Sequence, residues 1–122
     1  MYAHVKEKWI AALRSGKYKQ TTGRLMRGDG YCCLGVLCQI AVDEKAVDVH
    51  EAFGPDLRWS VGYPLPKVIA WAGQDPNITT YAGWSLSDWN DKRGATFEQI
   101  ADMIEQHMPI TPDPEQKEQN NG

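Results

Sequence analysis

Three cysteines, Cys32, Cys33 and Cys38, fall within seven residues. A thiol at a helix N-terminus feels the positive end of the backbone dipole, which favours the thiolate and makes it a nucleophile. Cys32 and Cys33 follow the Gly28-Asp29-Gly30 turn and are placed for that role. A cysteine hydrolase also needs a histidine within hydrogen-bond reach, and of His4, His50 and His107 only His50 is a realistic partner. The histidines lack the spacing of a metal site. An odd cysteine count and the strain of bridging adjacent residues argue against a disulfide scaffold. Reduced thiols acting as small core side chains are the preferred reading, and no metal or cofactor is implied.

A second chemistry comes from cations beside rings. Residues 1–31 carry seven basic groups against two acidic ones, residues 32–108 five against eleven, and residues 109–122 one against three, in a chain of net charge −3. A basic first quarter on an acidic body steers a phosphate-bearing ligand toward one end; the alternative is a solvated face needing no partner. The chain also holds five tryptophans and five tyrosines. Trp9, Trp71 and Trp89 fall at core-facing helix positions, whereas Trp59, Tyr63, Tyr81 and Trp84 fall in loops or strand ends. There a ring can stack on a nucleobase or simply roof the core. Guanidinium groups engage phosphate bidentately. The candidate ligand-binding set is therefore Tyr18, Gln20, Arg24, Arg27, Arg58, Trp59, Tyr63 and Trp84. Asp88 and Asp91 share a helix face, but a first-turn acid and a surface acid explain them better than paired-carboxylate hydrolysis. Gly28-Asp29-Gly30 lacks the lysine and hydroxyl of a phosphate loop. Double-stranded DNA is disfavoured because the chain is acidic overall and has no continuous basic stripe.

The elements that must position these residues follow from periodicity. Val5, Trp9, Ala12 and Leu13 line one face of a helix that Ser15-Gly16 ends. Residues 17–31 read as a β-hairpin or pair of short strands, turning at Thr22-Gly23 and again at Gly28-Asp29-Gly30. Residues 32–41 are apolar almost all round, which predicts a buried central helix, and Gly35 would let another backbone approach closely. Residues 42–63 are ambiguous between strands and loops, and Leu57 to Val61 can be read as a strand. Pro64 and Pro66 start a short helix that Gly73 stops, and 77–81 reads as a strand or extended loop. Ser85 caps a helical turn, and Thr96 with Gln99 forms a capping box before the stripe Ile100, Met103, Ile104.

The expected architecture is α+β, with about four helices around the central 32–41 helix and a small antiparallel sheet. The 122 residues, 42% hydrophobic and 24% charged, suit one domain over 1–108 followed by a disordered polar tail over 109–122. The longest apolar run, Tyr31 to Cys38, is far shorter than the roughly 20 residues of a spanning helix, so no membrane role is expected. Lys6, Glu7 and Lys8 interrupt any secretion signal, which makes the cytosol the default compartment.

Three strings, Trp9-x-x-Ala12-Leu13-x-Ser15-Gly16-x-Tyr18-x-Gln20, Tyr31-Cys32-Cys33-Leu34-Gly35-Val36-Leu37-Cys38 and Phe97-Glu98-x-Ile100-Ala101-x-x-Ile104-Glu105, resemble a group of small proteins of tailed bacteriophages and prophages. The likeness spans residues 9–105 in pattern and carries over no catalytic residue. It implies phage origin and action in the cytoplasm of a host bacterial cell, where small phage proteins act as counter-defence factors. Joined to the basic hairpin and loop aromatics, it leads to the expectation of a non-enzymatic protein that sequesters a phosphate-containing nucleotide-derived signal. The alternatives are an inhibitor of a host protein surface and a cysteine-dependent hydrolase. The expected partner is a small nucleotide-like ligand or a host protein, and self-association is left open.

Overall fold

The computed structural model describes residues 1–77 and 80–113. Helix α1 (Ala3–Arg14) buries Val5, Trp9 and Leu13 on the face their spacing predicts. Helix α2 (Cys33–Asp43) buries eight of its residues, from Cys33 through Leu37 and Cys38 to Ala41, and packs against α1, α3 (Val49–Phe53), α4 (Pro66–Ala72) and α5 (Leu86–Asp91). A helix buried on nearly every side can spare no charge, and α2 has none before Asp43 at its last position. The Trp9 indole joins α1 to α2, its Nε1 donating to the Cys33 carbonyl at 2.9 Å.

Helix α6 (Phe97–His107) packs on α1 and α5 through Phe97, Ile100, Ala101 and Ile104. Its Thr96/Gln99 capping box forms as the sequence predicts. Arg14 Nη1 and Nη2 reach across from α1 to Glu105 and Asp102, both at 2.6 Å, and Lys6 Nζ donates to the Met108 carbonyl at 2.7 Å beside the negative end of α6. The chain beyond α6 stays on the body: the Thr111 amide donates to the Met1 carbonyl at 2.8 Å, and His4 Nε2 lies 3.1 Å from Asp113. Residues 109–113 of the segment expected to be a disordered tail are thus tied to α1, while its remainder, 114–122, lies outside the described residues.

The architecture is α+β, as the sequence predicts, but its details differ. Among the described residues there are six α-helices, where about four around a central 32–41 helix were expected. The three-stranded sheet is mixed: β2 (Met26–Arg27) pairs antiparallel with β3 (Gly30–Tyr31), whereas β1 (Lys19–Gln20) pairs parallel with β3. The Thr22-Gly23 turn therefore joins no hairpin. The reason lies in hydrogen bonds that turn signals do not reveal, one of them to Val61, outside the segment. The Thr21 amide donates to the Tyr31 carbonyl at 2.8 Å, Leu25 donates to Val61 at 3.0 Å, and buried Leu25 is fixed between them, carrying the chain across to the far edge of β3.

The ambiguous stretch 42–63 resolves into α3, opened by a complete Asp48/Glu51 capping box, and a single 3₁₀ turn, Leu57–Trp59, in the segment open to a strand. Asp56 decides this, because its carboxylate accepts from the Arg58 amide at 3.0 Å and curls the chain. Pro66 opens α4 and Gly73 closes it in the left-handed conformation at φ +86°. Strands β4 (Thr80–Tyr81) and β5 (Trp84–Ser85) form a two-stranded ribbon, and Ser85 caps α5. The ribbon includes the end of the expected 77–81 strand; residues 78 and 79 lie outside the described residues. No helix among the described residues is long and apolar enough to cross a membrane.

Candidate functional site

A loop and a 3₁₀ turn, distant in sequence, meet at the edge of the mixed sheet. Residues 22–24 arch outward between two anchors. At one end the Thr21 carbonyl accepts from Asn90 Nδ2 at 2.8 Å; at the other Leu25 is buried and bonded to Val61. Buried Ser60 stitches the 3₁₀ turn to β2, its Oγ accepting from the Met26 amide at 3.0 Å and donating to the Met26 carbonyl at 2.8 Å. Trp59, one residue before this stitch, is held at its backbone while its side chain stays in solvent, 68% exposed.

The Arg24 guanidinium lies over the Trp59 ring, its Cζ 3.4 Å from the ring centroid. Thr22, Gly23, Arg24, Arg27 and Trp59 line a concavity of about 230 Å³. A guanidinium stacked on an indole is held by the ring quadrupole, yet its N–H groups point outward in its own plane and remain available to an anion. Neither Arg24 nor Arg27 has a carboxylate partner among the described residues. With Trp59 this exposed and one face occupied, the opposite indole face is open to a second planar group. The arrangement can therefore hold a phosphate against two arginines and a flat ring against the tryptophan.

Of the eight residues picked from sequence, Arg24, Arg27 and Trp59 come together here. Arg58 lies within the same 3₁₀ turn but pairs with Asp56 at 3.5 Å, and exposed Tyr63 lies just beyond the turn without lining the concavity. The other three belong elsewhere. Tyr18 packs edge-on against Tyr31 with ring centroids 5.4 Å apart, and burial pushes both phenol pKa values up. Gln20 is a structural clamp, its Nε2 donating to Asn90 Oδ1 at 2.9 Å and to the Ala95 carbonyl at 2.8 Å. Trp84 lies in the β4–β5 ribbon, where the Arg93 guanidinium sits 4.6 Å from its ring and 5.3 Å from that of Trp89. Sequence reading missed Thr22 and Gly23, which carry no chemical signature of their own. It also missed Arg93, which lies just past the end of α5 and folds back over Trp84 and Trp89.

The cysteines are core. All three are free and buried, and desolvation raises each thiol, Cys32 to about 11 and Cys33 and Cys38 well above the usual range. Cys32 does sit at the N-cap of α2, where its sulfur accepts from the Gly35 amide at 3.4 Å, but loss of water outweighs that stabilisation. His50 turns its Nδ1 to the Gly54 carbonyl at 3.1 Å, not to sulfur. A hydrolase would find neither an ionised thiol nor a thiol–histidine hydrogen bond among the described residues.

No curated protein sequence and no solved structure matches the chain. The sequence profile of one family, a domain of unknown function designated DUF8296, matches residues 1–108, and the chain belongs to that family.

Proposed function

We propose that this protein is a non-enzymatic binder that sequesters a phosphate-bearing, nucleotide-like ligand, with phosphate on Arg24 and Arg27 and the base on the open face of Trp59. The observation that carries this reading is the Arg24 guanidinium stacked 3.4 Å from the Trp59 centroid with no carboxylate among the described residues to neutralise it. A stacked but unneutralised guanidinium is already desolvated on one face, so an arriving phosphate meets donors fixed in direction. The likeness to small phage proteins supplies the setting, a counter-defence factor in the bacterial cytoplasm that withholds a nucleotide signal.

An inhibitor of a host protein surface is the second reading. Exposed tryptophan, tyrosine and arginine are the residue types that dominate interface energetics, and Trp59, Tyr63 and Arg58 supply them on one edge. Mass spectrometry of small molecules released on denaturing the purified protein separates the two. Sequestration predicts an intact nucleotide recovered from wild type and lost from Arg24→Ala; an inhibitor predicts no released nucleotide and a host protein retained on pull-down.

A further inference from the structure

We infer that the ligand is an oligonucleotide strand carrying at least two bases and two phosphates, the second pair resting on Arg93, Trp84 and Trp89. This deepens the reading of Arg24 and Trp59 and rests on it. The chain has five arginines. Arg14 and Arg58 have carboxylate partners; Arg24, Arg27 and Arg93 have none among the described residues. These three are the ones gathered with exposed or half-buried tryptophans, Arg24 and Arg27 around Trp59 and Arg93 over Trp84 and Trp89. In an acidic protein, unneutralised guanidiniums beside indoles are the combination that stacking and phosphate contact with a flexible strand require.

The two clusters flank a single seam. Gln20 donates to Asn90 Oδ1 and the Ala95 carbonyl, and Asn90 Nδ2 donates to the Thr21 carbonyl. One residue beyond Thr21 the chain enters the Arg24 concavity. On the other side, Ala95 lines a second concavity of about 400 Å³ together with Trp89, Arg93, Gly94 and Gln99. Thr22, Gly23 and Gly94 are exposed beside the seam and put little side-chain bulk in the way of a strand. Among the described residues three carboxylates stand near the second cluster: Asp102 is bonded to Arg14 and Asp88 pairs with Lys92 at 3.5 Å, whereas exposed Asp91 accepts from the Asn90 amide and has no cation partner. A phosphate on Arg93 would be opposed by Asp91, which makes that acid a test of the path.

The experiment is calorimetric titration of the whole chain with adenosine 5′-monophosphate and with the tetranucleotides oligo(rA)4 and oligo(dA)4. The tetranucleotide of either sugar should bind on the order of tenfold or more tightly than the monophosphate, since stacking a second base is worth at least that. Arg93→Ala should return the tetranucleotide to the monophosphate's affinity. It should also lower the log–log salt slope of tetranucleotide binding by about 0.7. Asp91→Asn should tighten the tetranucleotide several-fold. Arg93 is exposed, so the variant folds, which a thermal melt checks, and Arg93→Lys should recover the salt slope but only part of the affinity. Tetranucleotides that bind no better than the monophosphate, or that ignore Arg93→Ala, overturn the strand while leaving the Arg24 site standing. Failure of all three probes, or binding indifferent to Arg24→Ala, overturns the Arg24 site and the strand with it.

Discussion

The carbonyl oxygen of Leu25 occupies the place where a side chain on Gly35 would begin: a Cβ built there lies 1.7 Å from that oxygen. The same carbonyl accepts from the Cys32 amide at 3.1 Å, so the loop that carries Arg24 is pressed onto the first turn of α2 at two points. Gly35→Ala must push the loop away or unwind the turn, and backbone cannot yield as a flexible side chain can. The expected cost is about 3 kcal/mol or more, read from urea unfolding, because overpacking against rigid backbone lies at the severe end of core substitutions. A change under about 1 kcal/mol would show that the contact is not made.

The thiols predict an alkaline loss of stability. Burial raises all three in the folded state, so the folded chain holds protons that an unfolded chain releases above about pH 9. Their contribution is fully present below that pH. It is lost as pH rises toward the folded value of about 11 for Cys32 and continues to be lost beyond it for Cys33 and Cys38. Each thiol adds up to about 1.4 kcal/mol per pH unit to the slope. Cys38→Ala should flatten the slope between pH 9 and 11, and at pH 8 the native thiols should react with an aromatic disulfide reagent only as fast as the chain opens. Rapid labelling of a folded thiol would contradict the burial.

Tyr81 offers a change of opposite sign. Its ring is buried and its hydroxyl has no hydrogen-bond partner among the described residues. Burial, with the neighbouring Cys33 adding to it, pushes the phenol up to about 12. Tyr81→Phe removes an unsatisfied polar atom without removing the ring, and is expected to be neutral or stabilising by about 1 kcal/mol in thermal or urea unfolding. A loss above about 1 kcal/mol would mean that the hydroxyl has a partner.

Much of this was legible where local chemistry and long-range packing agree. Helix α2 follows from an uninterrupted apolar run, α6 from its capping box and stripe, and α4 from prolines before and a glycine after. The close approach at Gly35 was readable as a place for another backbone, though not which one. The mixed sheet was not readable, because β1 pairs with β3 only once Thr21 and Leu25 are held by Asn90 and Val61, residues 69 and 36 positions away. The site was half legible for the same reason. Arginine and tryptophan types flagged Arg24, Arg27 and Trp59, but nothing local distinguishes Gln20, whose side chain is spent on Asn90 and Ala95, from a ligand-facing residue.

Because the Arg24 loop is anchored at Thr21 and Leu25, Trp59 is held at its backbone, and the two meet through side chains, function and stability should separate. Arg24→Ala and Trp59→Ala are expected to change folding stability by no more than about 1 kcal/mol, since a cation–π contact at a solvent-exposed site is worth roughly 0.5–1 kcal/mol. Ligand binding should fall far more than that. Arg27→Ala should weaken phosphate-bearing ligands while leaving the unfolding midpoint in place.

The most direct test of the central claim is a thermal-shift titration of wild type, Arg24→Ala and Trp59→Ala with adenosine 5′-monophosphate, adenosine and inorganic phosphate. The account predicts a concentration-dependent rise in Tm for wild type that is largest with the nucleotide, smaller with either half alone, and absent from both variants. An equal rise in wild type and variants, or none with any of the three probes, would contradict it.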